Sequence, residues 1–231
     1  MTTSAKSHQF EVKVEEHGSI SISVEVLAPE SYADLVKRRS PGTKFHPAVG
    51  DKRAIDVSYK DLLILTKFKG EGLGPLAQAV DARLDGMLQS AIDQSGFQGK
   101  QGETVLLNLE SAALGSGNAR KILVVGLGKR ELYGQFVWCG LVSTIMSEAA
   151  ELSAEHILLG LNDLPEGDEW LTASQLASVL RCRVRQYLSK EVERGRLKKI
   201  RLIVSREKQE DVESGLAELE PLCIVCSNPY L

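Results

Sequence analysis

Several things are missing from this chain, and each absence closes off a class of protein. No apolar run approaches the ~20 residues needed to span a bilayer, and the opening Met1 to Gln9 has no apolar core of the kind that directs secretion. A cytoplasmic protein is the expectation. Cysteine is scarce, with 4 in 231 residues, and Cys139, Cys182, Cys223 and Cys226 are too irregularly spaced for a disulfide scaffold. There is no excess of one charge: the net charge is −3 with 26% charged residues, which does not suit a general nucleic-acid binder or a membrane-surface protein. No internal repeat or low-complexity tract occurs. The 4 histidines, His8, His17, His46 and His156, show no helix-face pair and no H-E-x-x-H, and the acids are scattered rather than clustered as a two-metal site requires.

What is present is patterned apolar sequence, 43% of the chain. Phe10, Val12 and Val14 alternate with charged residues, then Ile20, Ile22, Val24 and Val26 alternate across a Gly18-containing turn, which predicts a β-hairpin with one buried face. A short helix is expected from Pro29 to Arg39. Ser40 to Pro47, with two prolines and a glycine, reads as a linker, giving an N-terminal extension over residues 1–50 and an α/β domain over 51–231. In that domain Ile55, Val57 and Tyr59 alternate and Leu62 to Leu65 is continuously apolar. Further strands are predicted at Thr104 to Leu109, Lys121 to Val125, Ile157 to Leu161 and Ile200 to Val204, with a terminal strand at Leu222 to Val225. Helical spacing runs through Leu76, Val80, Leu84, Met87, Leu88, Ala91 and Ile92 as one long helix. It recurs over Glu131 to Leu152, Leu171 to Leu188 and Asp211 to Leu219. Alternation of this kind predicts a three-layer α/β sandwich with a mostly parallel central sheet.

The segments Leu73-Gly74-Pro75-Leu76-Ala77, Phe97-Gln98-Gly99-Lys100-Gln101-Gly102-Glu103-Thr104-Val105-Leu106-Leu107 and Lys121-Ile122-Leu123-Val124-Val125-Gly126-Leu127-Gly128-Lys129 resemble the N-terminal domain of leucyl aminopeptidases. They stand in that family's order and about its spacing, over Ala54 to about Leu161 and more loosely to about Val204. The resemblance implies a macro-domain-like α/β/α fold carrying no catalytic residue. In that family two metal ions sit in a separate C-terminal domain, whose catalytic N-T-D-A-E-G-R-L element is absent here. No catalytic or metal residue is therefore carried over, and no cofactor is expected. The expected role is regulation or assembly, with a catalytic aminopeptidase subunit or a second copy as partner; the alternative is a nucleotide or ADP-ribose binding module.

The candidate sites follow from the residues themselves. Gly126, Gly128, Lys129 and Arg130 lie between a buried strand and a helix, where backbone N–H groups can hold a phosphate. Glu131 occupies the third glycine position of a dinucleotide fingerprint, so a tight turn with solvated cations is the simpler reading. Gly72 and Gly74 could line a ligand loop, although Glu71, next to Gly72, would repel a phosphate. Cys223 and Cys226 have C-x-x-C form but lack a second ligand pair, and buried thiols fit them better. Arg194, Arg196, Lys198, Lys199 and Arg201 form a basic run able to contact a phosphate backbone, but without interleaved aromatics and in a net-acidic chain a solvated strand edge is favoured. Arg181, Arg183 and Arg185 are expected to cover apolar surface with their stems.

Overall fold

The computed structural model describes residues 9–14, 18–35, 61–109, 121–165, 171–189 and 196–217. The linker at 40–47, the alternation at 55–59, the C-x-x-C at 223–226 and the terminal strand at 222–225 lie outside these residues, as do His8, His17, His46 and Arg194.

Seven strands form one sheet: β1 Gln9–Val14, β2 Gly18–Val26, β3 Asp61–Phe68, β4 Thr104–Asn108, β5 Lys121–Gly128, β6 His156–Gly160 and β7 Lys199–Val204. Their order is β1-β2-β7-β6-β3-β5-β4. The five inner strands are mutually parallel, and the two margins, β1 on β2 and β4 on β5, are antiparallel. A parallel interior needs cover on both faces, and the sequence of β5, buried at every position, meets that need. The predicted hairpin is β1–β2, and β2 is hydrogen-bonded into the main sheet alongside β7, so the hairpin continues the sheet.

The helices are α1 Pro75–Arg83, α2 Met87–Ser95, α3 Gln135–Glu151, α4 Ala173–Ser189 and α5 Gln209–Ala217, with a 3₁₀ turn at Pro29–Leu35 where a short helix was expected. Period-two alternation along the strands sorts the core into two layers. Leu62, Ile64, Leu123, Val125, Ile200 and Leu202 face α3, α4 and α5. Leu63, Leu65, Ile122, Val124 and Ile203 face α1, α2 and the 3₁₀ turn.

The single long helix predicted across Leu76 to Ile92 is two helices. Asp85 (φ 54) and Gly86 (φ 81) take left-handed backbone between them, a conformation that ends an α-helix. The Asp81 carboxylate accepts the Gln89 N–H at 3.0 Å and so serves the exposed start of α2. The apolar stripe survives the break because both helices bury it against the same layer. The chain before α3 likewise begins with a 3₁₀ turn, Arg130–Leu132, rather than α-helix. No helix of the described residues is long and apolar enough to cross a membrane.

Candidate functional site

After β3 the chain turns to α1 on one face of the sheet, while after the adjacent β5 it leaves for α3 on the other. Neighbouring strands whose connections depart in opposite directions open a crevice at their carboxyl ends, the usual ligand position of open α/β sheets. An open cleft of about 710 Å³ lies there, lined by Lys69, Gly70 and Glu71 after β3 and by Lys129, Arg130, Glu131 and Leu132 after β5.

The structure brings the predicted Gly72 loop and the Gly126 to Arg130 turn together, and much of what they offer is already engaged. The Arg130 guanidinium makes a two-pronged bond to Glu71, Nε to Oε1 at 2.7 Å and Nη2 to Oε2 at 2.5 Å. It also lies over the Phe68 ring, 4.3 Å from its centre, and Phe68 meets Tyr133 edge-on at 5.5 Å. A planar guanidinium satisfies a carboxylate and stacks on an aromatic at once. Arg130 accordingly holds the Glu71 carboxyl below the ordinary carboxylate range, and Glu71 in turn raises the Arg130 guanidinium further.

Two backbone donors at the end of β5 are also spent internally. Gly126 N donates to Glu103 O at 2.8 Å and Gly128 N to Gly99 O at 2.9 Å. These bonds fasten β5 to the turn before β4. A Cβ built on Gly126 would lie 2.0 Å from Lys100 O, so this position needs glycine for close backbone approach rather than for an open loop. Gly128 has φ +78, again favouring glycine. Lys129 stands on the cleft wall with Lys69.

Gly74 has a different neighbour. A Cβ there would fall 2.5 Å from the Asp163 side chain, and Asp163 accepts the N–H groups of Leu76 at 2.9 Å and Ala77 at 3.2 Å. The positive end of α1 is thus filled by a carboxylate from the loop after β6. Burial pushes the Asp163 carboxyl upward against the opposing pull of those two backbone donors. Beside it Asn162 donates to the Tyr32 hydroxyl at 2.5 Å and accepts Ser205 N–H at 2.7 Å, tying the 3₁₀ turn to the end of β7. Sequence reasoning did not select Asp163; its only local signal is a polar Asn-Asp pair directly after a buried strand. Gly72 has open space where a Cβ would stand.

The basic run does not gather into one patch of free cations. Lys198 pairs with the largely buried Glu155 at 3.0 Å, and Arg201 grips Glu25 on β2 at 2.5 Å. Arg196 and Lys199 lie in the same stretch at the amino end of β7. Of the other arginines, Arg181 donates to Leu216 O at the end of α5 and Arg183 donates to Cys139 Sγ at 2.8 Å, bridging α4 to α3. Cys139 and Cys182 are buried and stand as thiols rather than in a disulfide. Among the described residues no group of three or more His, Cys, Asp or Glu is placed to hold a metal ion.

Comparison with known proteins agrees with this architecture. A probable cytosol aminopeptidase from Alkaliphilus metalliredigens is 32% identical over 100 residues, which cover 43% of this chain and 19% of that protein. The cytosol aminopeptidase of Pseudomonas aeruginosa is 29% identical over 166 residues, 69% of this chain and 32% of that protein. The chain thus matches no more than about a third of the length of these relatives. Among solved structures, a tomato leucine aminopeptidase variant aligns with TM-score 0.52 and 17% identity, covering 89% of this chain and 37% of that one. A macrodomain from Oceanobacillus iheyensis aligns with TM-score 0.52 and 12% identity, covering 91% and 95%. At such identities these likenesses establish a shared α/β/α fold. The model of the cytosol aminopeptidase family's N-terminal domain matches residues 64–184, more than half of the sequence, and the chain belongs to that family.

Proposed function

We propose that this chain acts as a non-catalytic N-terminal unit of a cytosol aminopeptidase-like protein, with a regulatory or assembly role. The observation that carries this reading is the internal occupation of the crevice. Glu71 neutralises Arg130, and the Gly126 and Gly128 amides are bonded to the neighbouring turn. A crevice whose best anion-holding groups serve the fold itself supports a structural role more than a chemical one. The name shared by the relatives, cytosol aminopeptidase, supports a cytoplasmic location.

The macro-like cleft also favours a second reading, a small-ligand module. Lys69 and Lys129 flank the open space and could receive a nucleotide or ADP-ribose phosphate once Glu71 is turned aside. Thermal melting of the chain with ADP-ribose, a nucleotide panel and divalent metals separates the two, since a ligand that prefers the folded state raises the melting temperature by mass action. The accessory reading expects no shift with any of them, together with co-sedimentation with the catalytic region of a cytosol aminopeptidase or with itself. A dose-dependent rise with ADP-ribose or a nucleotide would replace it with the second reading.

A further inference from the structure

We propose that the outer edge of β1 is a self-complementary docking surface, and that its occupant is the same strand of a second copy, paired antiparallel across a two-fold axis centred on Val12. The inference rests on the assembly role above and names the partner. Among the described residues β1 pairs with β2 alone and ends the sheet. An unblocked edge presents a row of backbone donors and acceptors that another strand can use. Edges are commonly protected by proline, by a bulge or by charged side chains; Gln9–Val14 has no proline and keeps an unbroken register with β2, and its two charges, Glu11 and Lys13, are of opposite sign and so can be matched by a second copy.

The sequence of the edge gives the register. In a two-fold contact, residue i of one copy meets j of the other while j meets i. With Val12 on the axis, Glu11 stands opposite the other copy's Lys13, Lys13 opposite its Glu11, and Phe10 opposite its Val14. Every facing pair is then favourable. On the polar face Glu11 and Lys13 are already ion-paired along the strand at 3.2 Å, with side chains 52% and 69% exposed, so pairing completes an alternating square of four charges. On the opposite face Phe10 and Val14 are only partly buried where they flank the core beneath α4, and pairing covers them. Shifting the register by one residue brings charged residues opposite apolar ones and loses both gains.

The experiment is sedimentation equilibrium of the full 25.2 kDa chain from low to high micromolar concentration, for the natural sequence, Glu11→Lys, Lys13→Glu and an equal mixture of the two variants. The natural chain is expected to approach twice its monomer mass as concentration rises. Each variant alone faces two like-charged pairs and should dimerise on the order of tenfold more weakly, with added salt narrowing the gap. The mixture should recover dimer, because one variant is then positive at both positions and the other negative. Both sites are solvent-facing, and a circular dichroism melt of each variant matching the natural chain verifies the fold. A chain that stays monomeric throughout, or a dimer indifferent to the charges, overturns the β1 edge. Monomeric behaviour combined with binding to an aminopeptidase catalytic region overturns it while leaving the accessory role standing; monomeric behaviour without such binding overturns both.

Discussion

Two antiparallel strands close the sheet, and they are finished in opposite ways. β4 is buried on both faces at Val105, Leu106 and Leu107, and its leading turn is folded onto β5 by Gly102 N to Gly126 O and Gly126 N to Glu103 O. The Glu103 carboxylate further accepts the Gln98 and Lys100 N–H groups, both at 2.9 Å. β1 buries only one face and leaves Gln9, Glu11 and Lys13 in solvent. Among the described residues both strands pair on one side only, but β4 is buried on two faces with its leading turn fastened to β5, whereas β1 is buried on one. Position at the edge of a sheet does not by itself decide how a strand is covered; these two margins differ in the number of buried faces.

Breaking the fastened margin should cost most. Gly126→Ala drives a Cβ into Lys100 O and is expected to destabilise by roughly 3 kcal/mol, measured by urea unfolding, whereas Gly72→Ala, with open space around it, should change stability by less than about 0.5 kcal/mol. A smaller contrast separates the two strands themselves. Leu106→Ala removes a buried side chain and should cost about 2–4 kcal/mol, while Phe10→Ala, at a half-buried position on β1, should cost less than half of that in monomer stability; equal losses would erase the distinction between the margins.

The smallest effects are expected in the pH dependence at the crevice. Asp163 is pushed upward in the folded state, so it binds its proton more readily there than in the unfolded chain, and its contribution grows more favourable as pH falls from its raised value toward the ordinary carboxylate range. Glu71 is held low by Arg130, so its contribution is present above the ordinary carboxylate range and disappears as pH falls through its lowered value. Stability curves from neutral to acidic pH should therefore diverge from the natural chain in opposite senses for Asp163→Asn and Glu71→Gln. The Glu71 change should stay under about 1 kcal/mol because the pair is substantially exposed.

Much of the fold was legible because local period carries it. Alternation marked β1 and β2, continuous apolar runs marked β3 and β5, and helical spacing marked α3 and α4. Asp85-Gly86 was a visible turn signal inside the apolar stripe of α1 and α2, but the stripe runs across it and masks the break. Pairing of β2 with β7 joins residues such as Ser21 and Lys199, about three quarters of the chain apart, and no local pattern encodes it. The crevice was legible in part for the same reason. Glu71 is conspicuous between glycines as a group hostile to phosphate, yet its bond to Arg130 spans 59 residues and depends on β3 and β5 lying side by side. Asp163 depends on β6 lying beside β3, with α1 starting above them.

Asp163 also sets the terms on which any outside anion could reach the start of α1. Two amides there are held by a carboxylate tethered to the same molecule, so a visiting phosphate would compete with a rival present at an effective concentration of about millimolar or above. The chain fills the start of α1 with its own carboxylate, so the apparent affinity of any outside anion there is scaled down to the fraction of time Asp163 is out of place.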